Sequence, residues 1–227
     1  MKQYHLEILF KSQTIAASGE GLGAVIDTDI VFDHLGLPYI PAKRIKGCLK
    51  DAALDIEDMF KLADVQFDLD LNKTFGYEGS KAGATVYFSN LNIENYDNTK
   101  QWLSYLKQKK NKGYESILSR EVILKTFTHI RRQTAVGSDG VAKKHSLRTA
   151  RVIKKGVIFT GNINIDSESM SELEEKTVLN TLILACSVFR HMGTSRTRGF
   201  GEIACRIKAI DGNYLPIPEE LEALCMN

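Results

Sequence analysis

The sequence predicts an α+β fold, a ferredoxin-like (RRM-like) βαββαβ core carrying a large basic insertion. Three observations point to it. Apolar residues alternate at period two in Tyr4–Phe10, Val157–Ile165 and Ile203–Ala209, the spacing of half-buried strands. Helical spacing separates these runs in the order strand, helix, strand, then strand, helix, strand. Residues 107–156 interrupt that order with basic, weakly periodic sequence. At 227 residues the chain suits one domain, residues 1–227, that buries roughly 70% of its unfolded surface.

The elements follow in order. Tyr4, Leu6, Ile8 and Phe10 define the first strand, and a glycine-rich loop, Ser18–Gly23, comes after it. Ala24–Phe32 leads to a turn at Asp33–Gly36. Pro38 and Pro41 keep their predecessors out of helix until Ala42. A helix is expected from Lys43 to Leu54 on Ile45, Leu49, Ala52 and Ala53, although Gly47 weakens it. Ala84–Leu91 reads as the second strand, and Asn98–Lys110 as a short helix with Trp102, Leu103 and Leu106 inward. The 107–156 insertion, apolar only at Val122-Ile123-Leu124, reads as a hairpin outside the core. Val157–Ile165 is the third strand. Ser171 and Glu174 form a capping box, S-x-x-E, that opens the strongest helix. Its apolar face is Leu173, Leu179, Leu182, Ile183, Cys186 and Phe189, and Gly193 is its expected stop. Ile203, Cys205, Ile207 and Ala209 make the fourth strand.

Composition narrows the function. With 43% hydrophobic and 26% charged residues, collagen-like, disordered and disulfide-scaffold classes are excluded. No run of about 18 apolar residues suggests a membrane span, and the N-terminus lacks a signal-peptide cleavage pattern, so a cytoplasmic location is expected. Cys48, Cys186, Cys205 and Cys225 lack metal-like spacing and read as reduced, mostly buried thiols. The histidines show no HxxxH or HExxH, and the chain has neither GxSxG nor GxxxxGK[ST]. A net charge of +2 looks unpromising for a nucleic-acid binder. The charge is segregated, however. Residues 129–155 hold eight basic residues against Asp139 alone, whereas Asp51–Asp70 holds seven acids against Lys61 alone.

Four segments carry chemistry. Gly193-Thr-Ser-Arg-Thr-Arg-Gly199-Phe200-Gly201 lets backbone approach a ligand closely, and Arg196 and Arg198 can clamp phosphates. The R-G-F-G at 198–201 opens like the RNA-recognition-motif signature, but Glu202 and Cys205 stand where that signature places aromatics. Lys43, Arg44, Lys46 and Lys50 crowd a helix start where the dipole disfavours cations, which suggests an anionic ligand. Arg131, Arg132, Lys143, Lys144, Arg148 and Arg151 stud the insertion and suit a phosphate backbone. Asp27, Asp29 and Asp33 share a face if extended, so Asp27 and Asp29 are candidate ligands for Mg²⁺ or Mn²⁺, weighed against ordinary turn and surface roles.

Together, Ile26-Asp27 through Asp33, the Gly36–Gly47 run, Thr74-Phe-Gly76, Arg148–Gly161 and the Gly193–Gly201 loop resemble the RAMP superfamily, the repeat-associated proteins of CRISPR effector complexes. The I-D-x5-D-x2-G-x-P-x-I-P-x3-I-K-G run looks most like type III complexes, and Gln133–Ala135 with Ser146–Val152 leans towards the III-D branch. Ala42, Lys43 and Arg44 replace the family's usual P-G-S-S before I-K-G. The resemblance implies a palm with an inserted thumb that grips CRISPR guide RNA beside target RNA, other RAMP subunits and the large subunit. It also implies metal-dependent cleavage of target RNA by an aspartate matching Asp27. Two alternatives are a non-catalytic cap subunit on the guide's 5′ handle and a metal-independent guide-processing endoribonuclease, for which His34 and His129 are the available acid–base groups. The processing enzymes typically duplicate the fold, and a single copy is visible here. A ferredoxin-like interaction domain without RNA is the remaining reading.

Overall fold

The structure, a computed structural model, describes residues 1–17, 26–77, 83–109, 118–168 and 170–221. The glycine-rich loop expected at Ser18–Gly23 and the thiol of Cys225 lie outside the described residues.

Strand β1 (Lys2–Phe10) is held on both sides. It pairs antiparallel with β7 (Ile158–Ile165) and with β8 (Ile203–Lys208). Beyond β7 lie two short strands, β3 (Val86–Phe88) and β4 (Leu91–Ile93), which pair with opposite ends of it. β2 (Tyr39–Ile40) closes the sheet on β4, giving the order β2-β4-β7-β1-β8. All these pairings are antiparallel. Alternation in β1 sends Leu6, Ile8 and Phe10 into the core, where Phe10 meets Phe159 edge-to-face with ring centroids 5.4 Å apart. Helices α1 (Ala42–Leu62) and α5 (Glu172–Val188) pack on each other and on this face. Burying such side chains is the main stabilising term, each worth about 1.5–3 kcal/mol. A short helix α2 (Leu71–Phe75) puts Phe75 under them.

α3 (Tyr96–Gln108) and α4 (Arg120–Phe127) follow β4, and α4 runs into a hairpin of β5 (Thr128–Gln133) and β6 (Arg148–Ile153). Ser119 caps α4 through the Val122 N–H, and the Ser171–Glu174 capping box on α5 is present in full.

Several expectations are corrected. α1 runs eight residues past Leu54, because Ile56 packs with Leu184 and Leu221 in a second apolar cluster. The single strand expected at Ala84–Leu91 is two strands. α5 ends at Val188, and Gly193 is instead a left-handed loop position (φ 88°) further on. Leu173 is 74% exposed, so the inward face begins later, at Val178. The segment read as a hairpin outside the core contributes Ile123, Leu124 and Ile153 to the main core. Trp102 points outward, at 66% exposure, because Leu103 and Leu106 take the body-facing side of α3.

Candidate nucleic-acid interface

The segments singled out from sequence meet along a seam formed by residues 13–17. Thr14 bridges Ile153 at the end of β6 through paired backbone bonds of 3.1 and 2.8 Å. On its other side, the Thr194 N–H donates to the Ile15 carbonyl, and the Gly201 N–H to the Gln13 carbonyl. The Arg44 guanidinium donates to the Ala17 carbonyl. The hairpin, the 193–201 loop and the start of α1 are thus joined through one stretch of backbone.

The loop's shape depends on its glycines. Arg196–Arg198 form a single 3-10 turn between left-handed Ser195 and Gly199. A Cβ on Gly201 (φ 81°) would lie 2.2 Å from the Met192 carbonyl oxygen. Backbone therefore sits where no side chain fits. Arg196 and Arg198 are exposed, and the Arg196 Nε donates to the Gly193 carbonyl. Phe200 turns inward to pack with Ile15 and Val152. Above it lies the Arg131 guanidinium, 4.7 Å from the ring centroid, with its Nη1 donating to Gln13 Oε1. Gln13 and this cation–π contact were missed in the sequence, since they pair residues far apart in it.

Arg132, Lys143, Lys144 and Arg148 are exposed on the same hairpin, and Lys43 is exposed at the start of α1 beside half-buried Arg44 and Lys46. Arg151 departs from them. It is 1% exposed, and its Nε lies 2.9 Å from Asp29 Oδ1, with Glu121 a weaker second partner. It is a structural residue here, out of reach of a phosphate.

The aspartates separate in the same way. Asp27 is exposed, and its Oδ2 accepts from the Thr149 N–H at 2.6 Å. Asp29 is 3% exposed, its Oδ1 also accepts the Ile30 N–H, and its Oδ2 is buried without a partner. Asp33 organises the turn, accepting from the Leu35 and Leu37 N–H groups and the Tyr96 hydroxyl. The three carboxylates are not brought together, and among the described residues no three His, Cys, Asp or Glu side chains form a metal cluster. Asp27 is exposed and, among the described residues, its Oδ1 accepts no hydrogen bond, whereas the unpartnered Asp29 Oδ2 is buried beside Arg151. One carboxylate plus phosphate oxygens is an ordinary Mg²⁺ arrangement, so Asp27 fits and Asp29 does not.

His34 is exposed in the 33–36 turn, and His129 is half-buried in β5 opposite Val152. Burial, with Lys154 and Arg131 adding to it, lowers the His129 pKa. Cys186 and Cys205 are free and buried, as expected. The hydrogen bond with Cys186, and burial after it, push the Cys205 thiol up, which makes it a poor nucleophile.

These features define a mixed α/β protein with antiparallel sheets that presents a basic hairpin beside an arginine-bearing glycine loop. Its sequence matches the RAMP superfamily over residues 14–204, and the chain belongs to that superfamily. Among solved structures, a chain of the type III-B Cmr-beta bound to cognate target RNA matches with a TM-score of 0.60 at 13% identity, covering 91% of this chain and 97% of that one. A chain of the type III-B Cmr-beta in its apo state matches with a TM-score of 0.55, again at 13% identity, with 91% and 97% covered. At such identity the likeness shows the fold. No curated protein matches the sequence.

Proposed function

We propose that the chain is an RNA-binding subunit of a type III CRISPR effector complex, gripping the guide RNA backbone between the basic hairpin and the glycine loop. The observation that carries this reading is the meeting of the two at Arg131 and Phe200. It sets exposed Arg131, Arg132, Arg196 and Arg198 about one short seam, a pattern suited to consecutive phosphates. The order β8-β1-β7, with β3 and β4 beyond it and α1 and α5 on one face, supports a ferredoxin-like palm. The hairpin with its loop then serves as the thumb. Target RNA, further RAMP subunits and the large subunit are the partners this role requires, and its setting is the cytoplasm.

Asp27 is the candidate for catalysis, with Mg²⁺ or Mn²⁺. The metal would supply charge neutralisation at the scissile phosphate. The Thr149 N–H fixes the Asp27 carboxylate beside the hairpin. The test is Asp27→Ala in the assembled complex with target RNA. Loss of cutting with RNA still bound supports the assignment. Unchanged cutting at the same sites and rate overturns it and leaves a binding subunit. Incubation with repeat RNA in EDTA tests the guide-processing alternative, since cutting there would move the chemistry to His34 or His129.

A further inference from the structure

α3 lies apart from the seam and presents an unusual surface. Asn98, Trp102, Tyr105 and Lys109 follow one another at spacings of four, three and four, so they form one stripe. All four are exposed, and no residue of α3 is fully buried. Trp102 and Tyr105 meet edge-to-face with centroids 5.9 Å apart, and the Lys109 ammonium lies 4.7 Å from the Tyr105 ring centroid. Lys100 and Lys107 flank the stripe, with Asp97 the helix's one acid. α3 exposes no large aliphatic side chain, because Leu103 and Leu106 face the body. At its other end, Asn98 also lines a groove of about 430 Å³ with His5, Asn90, Asn92, Thr160 and Asn162. Most of its lining is amides and hydroxyls, which can both donate and accept, with His5 and the Asp97 carboxylate among them.

We propose that α3 is a second RNA site, a platform on which unpaired bases of single-stranded RNA stack against Trp102 and Tyr105. Lys100, Lys107 and Lys109 hold the flanking phosphates, and the asparagine-rich groove receives the next base edge or ribose. The proposal rests on the RNA-binding reading above and adds a site distant from the seam. Charge complementarity selects RNA over an apolar protein surface. Lysines around aromatic faces, without an aliphatic rim, match the stacking-plus-phosphate pattern of single-strand binders. The amides of the adjoining groove suit base edges.

Trp102 is the chain's one tryptophan, so its emission reports on this site alone. The experiment titrates the full chain with oligouridylate and, separately, with inorganic polyphosphate, while filter binding measures total RNA bound. The expected result is quenching by the RNA and not by polyphosphate. Trp102→Ala should weaken RNA binding by roughly 5- to 150-fold, the range for losing one stacked base, and Trp102→Phe should restore most of it. RNA that binds without changing emission, or a Trp102→Ala chain that binds like the parent, overturns the platform and leaves the seam standing. No RNA bound at all removes both. Emission that changes with protein concentration but not with RNA makes the face an interface between copies, and also overturns the proposal.

Discussion

Arg151 Nε lies 2.9 Å from Asp29 Oδ1, and both side chains are withdrawn from solvent. The bond ties the 26–30 segment to β6, alongside the backbone bridge between Thr28 and Ala150. Removing one member strands a buried charge. Asp29→Leu or Arg151→Met should each cost about 3–5 kcal/mol of folding stability. The double change Asp29→Leu with Arg151→Met should recover much of that, because no buried charge is left unpaired and Glu121, the other partner of Arg151, is half exposed. Urea denaturation of the three variants checks it, and losses that simply add would contradict the pairing.

Arg131 belongs to the other kind of arginine, exposed and resting on Phe200. Arg131→Gln should cost no more than about 1 kcal/mol of folding stability, the worth of an exposed cation–π contact. It should weaken RNA binding for every sequence tried, and lower the slope of log affinity against log salt by about 1. Binding measured across a salt series distinguishes this from an unfolded fraction, which would leave the slope unchanged.

Gly199 and Gly201 have similar backbone angles, φ 77° and 81°, in different surroundings. A Cβ at 199 meets open space, whereas at 201 it meets the Met192 carbonyl. Gly199→Ala should cost about 1–2 kcal/mol, the price of a left-handed residue alone. Gly201→Ala should cost more and also displace the loop from Gln13. Paired denaturation curves test the ranking, and equal losses would mean the neighbour at 201 moves aside.

The pH dependence has two identifiable ends. The Lys73 ammonium and the Ser171 cap hold Glu174 at about 2. As the acidity rises, the unfolded chain takes up this proton first. The stabilisation from Glu174 is therefore complete above about 4.5 and is lost as pH falls towards 2. At the alkaline end, burial and the Asp33 carboxylate raise Tyr96 from 10.0 to about 12. Its contribution is complete below pH 10 and lost between there and 12. Glu174→Gln should flatten the acid limb of the stability profile, and Tyr96→Phe the alkaline limb. Unchanged limbs would rule out these groups as their source.

Strand periodicity made β1, β7 and β8 legible, and the capping box located the start of α5. Local pattern failed where tertiary partners decide. α1 outlasts its expected end because Leu184 and Leu221 cover Ile56. Trp102 looked like a core residue, since helical spacing alone does not say which stripe meets the body. Within the interface, the exposed arginines were visible as a charge run. That run could not reveal that Arg151 is spent on Asp29, or that Phe200 sits beneath Arg131, because both pairs join segments far apart in sequence.

The 13–17 seam consists largely of main-chain bonds: Thr14 with Ile153, Ile15 with Thr194, and Gln13 with Gly201. Peptide groups are the same in every residue, so this junction is nearly blind to the identity of the side chains that pass through it. It asks for glycine at 193 and 201, where carbonyl oxygens of Ile15 and Met192 would meet a Cβ. A joint of this kind lets the surrounding sequence diverge while the geometry persists.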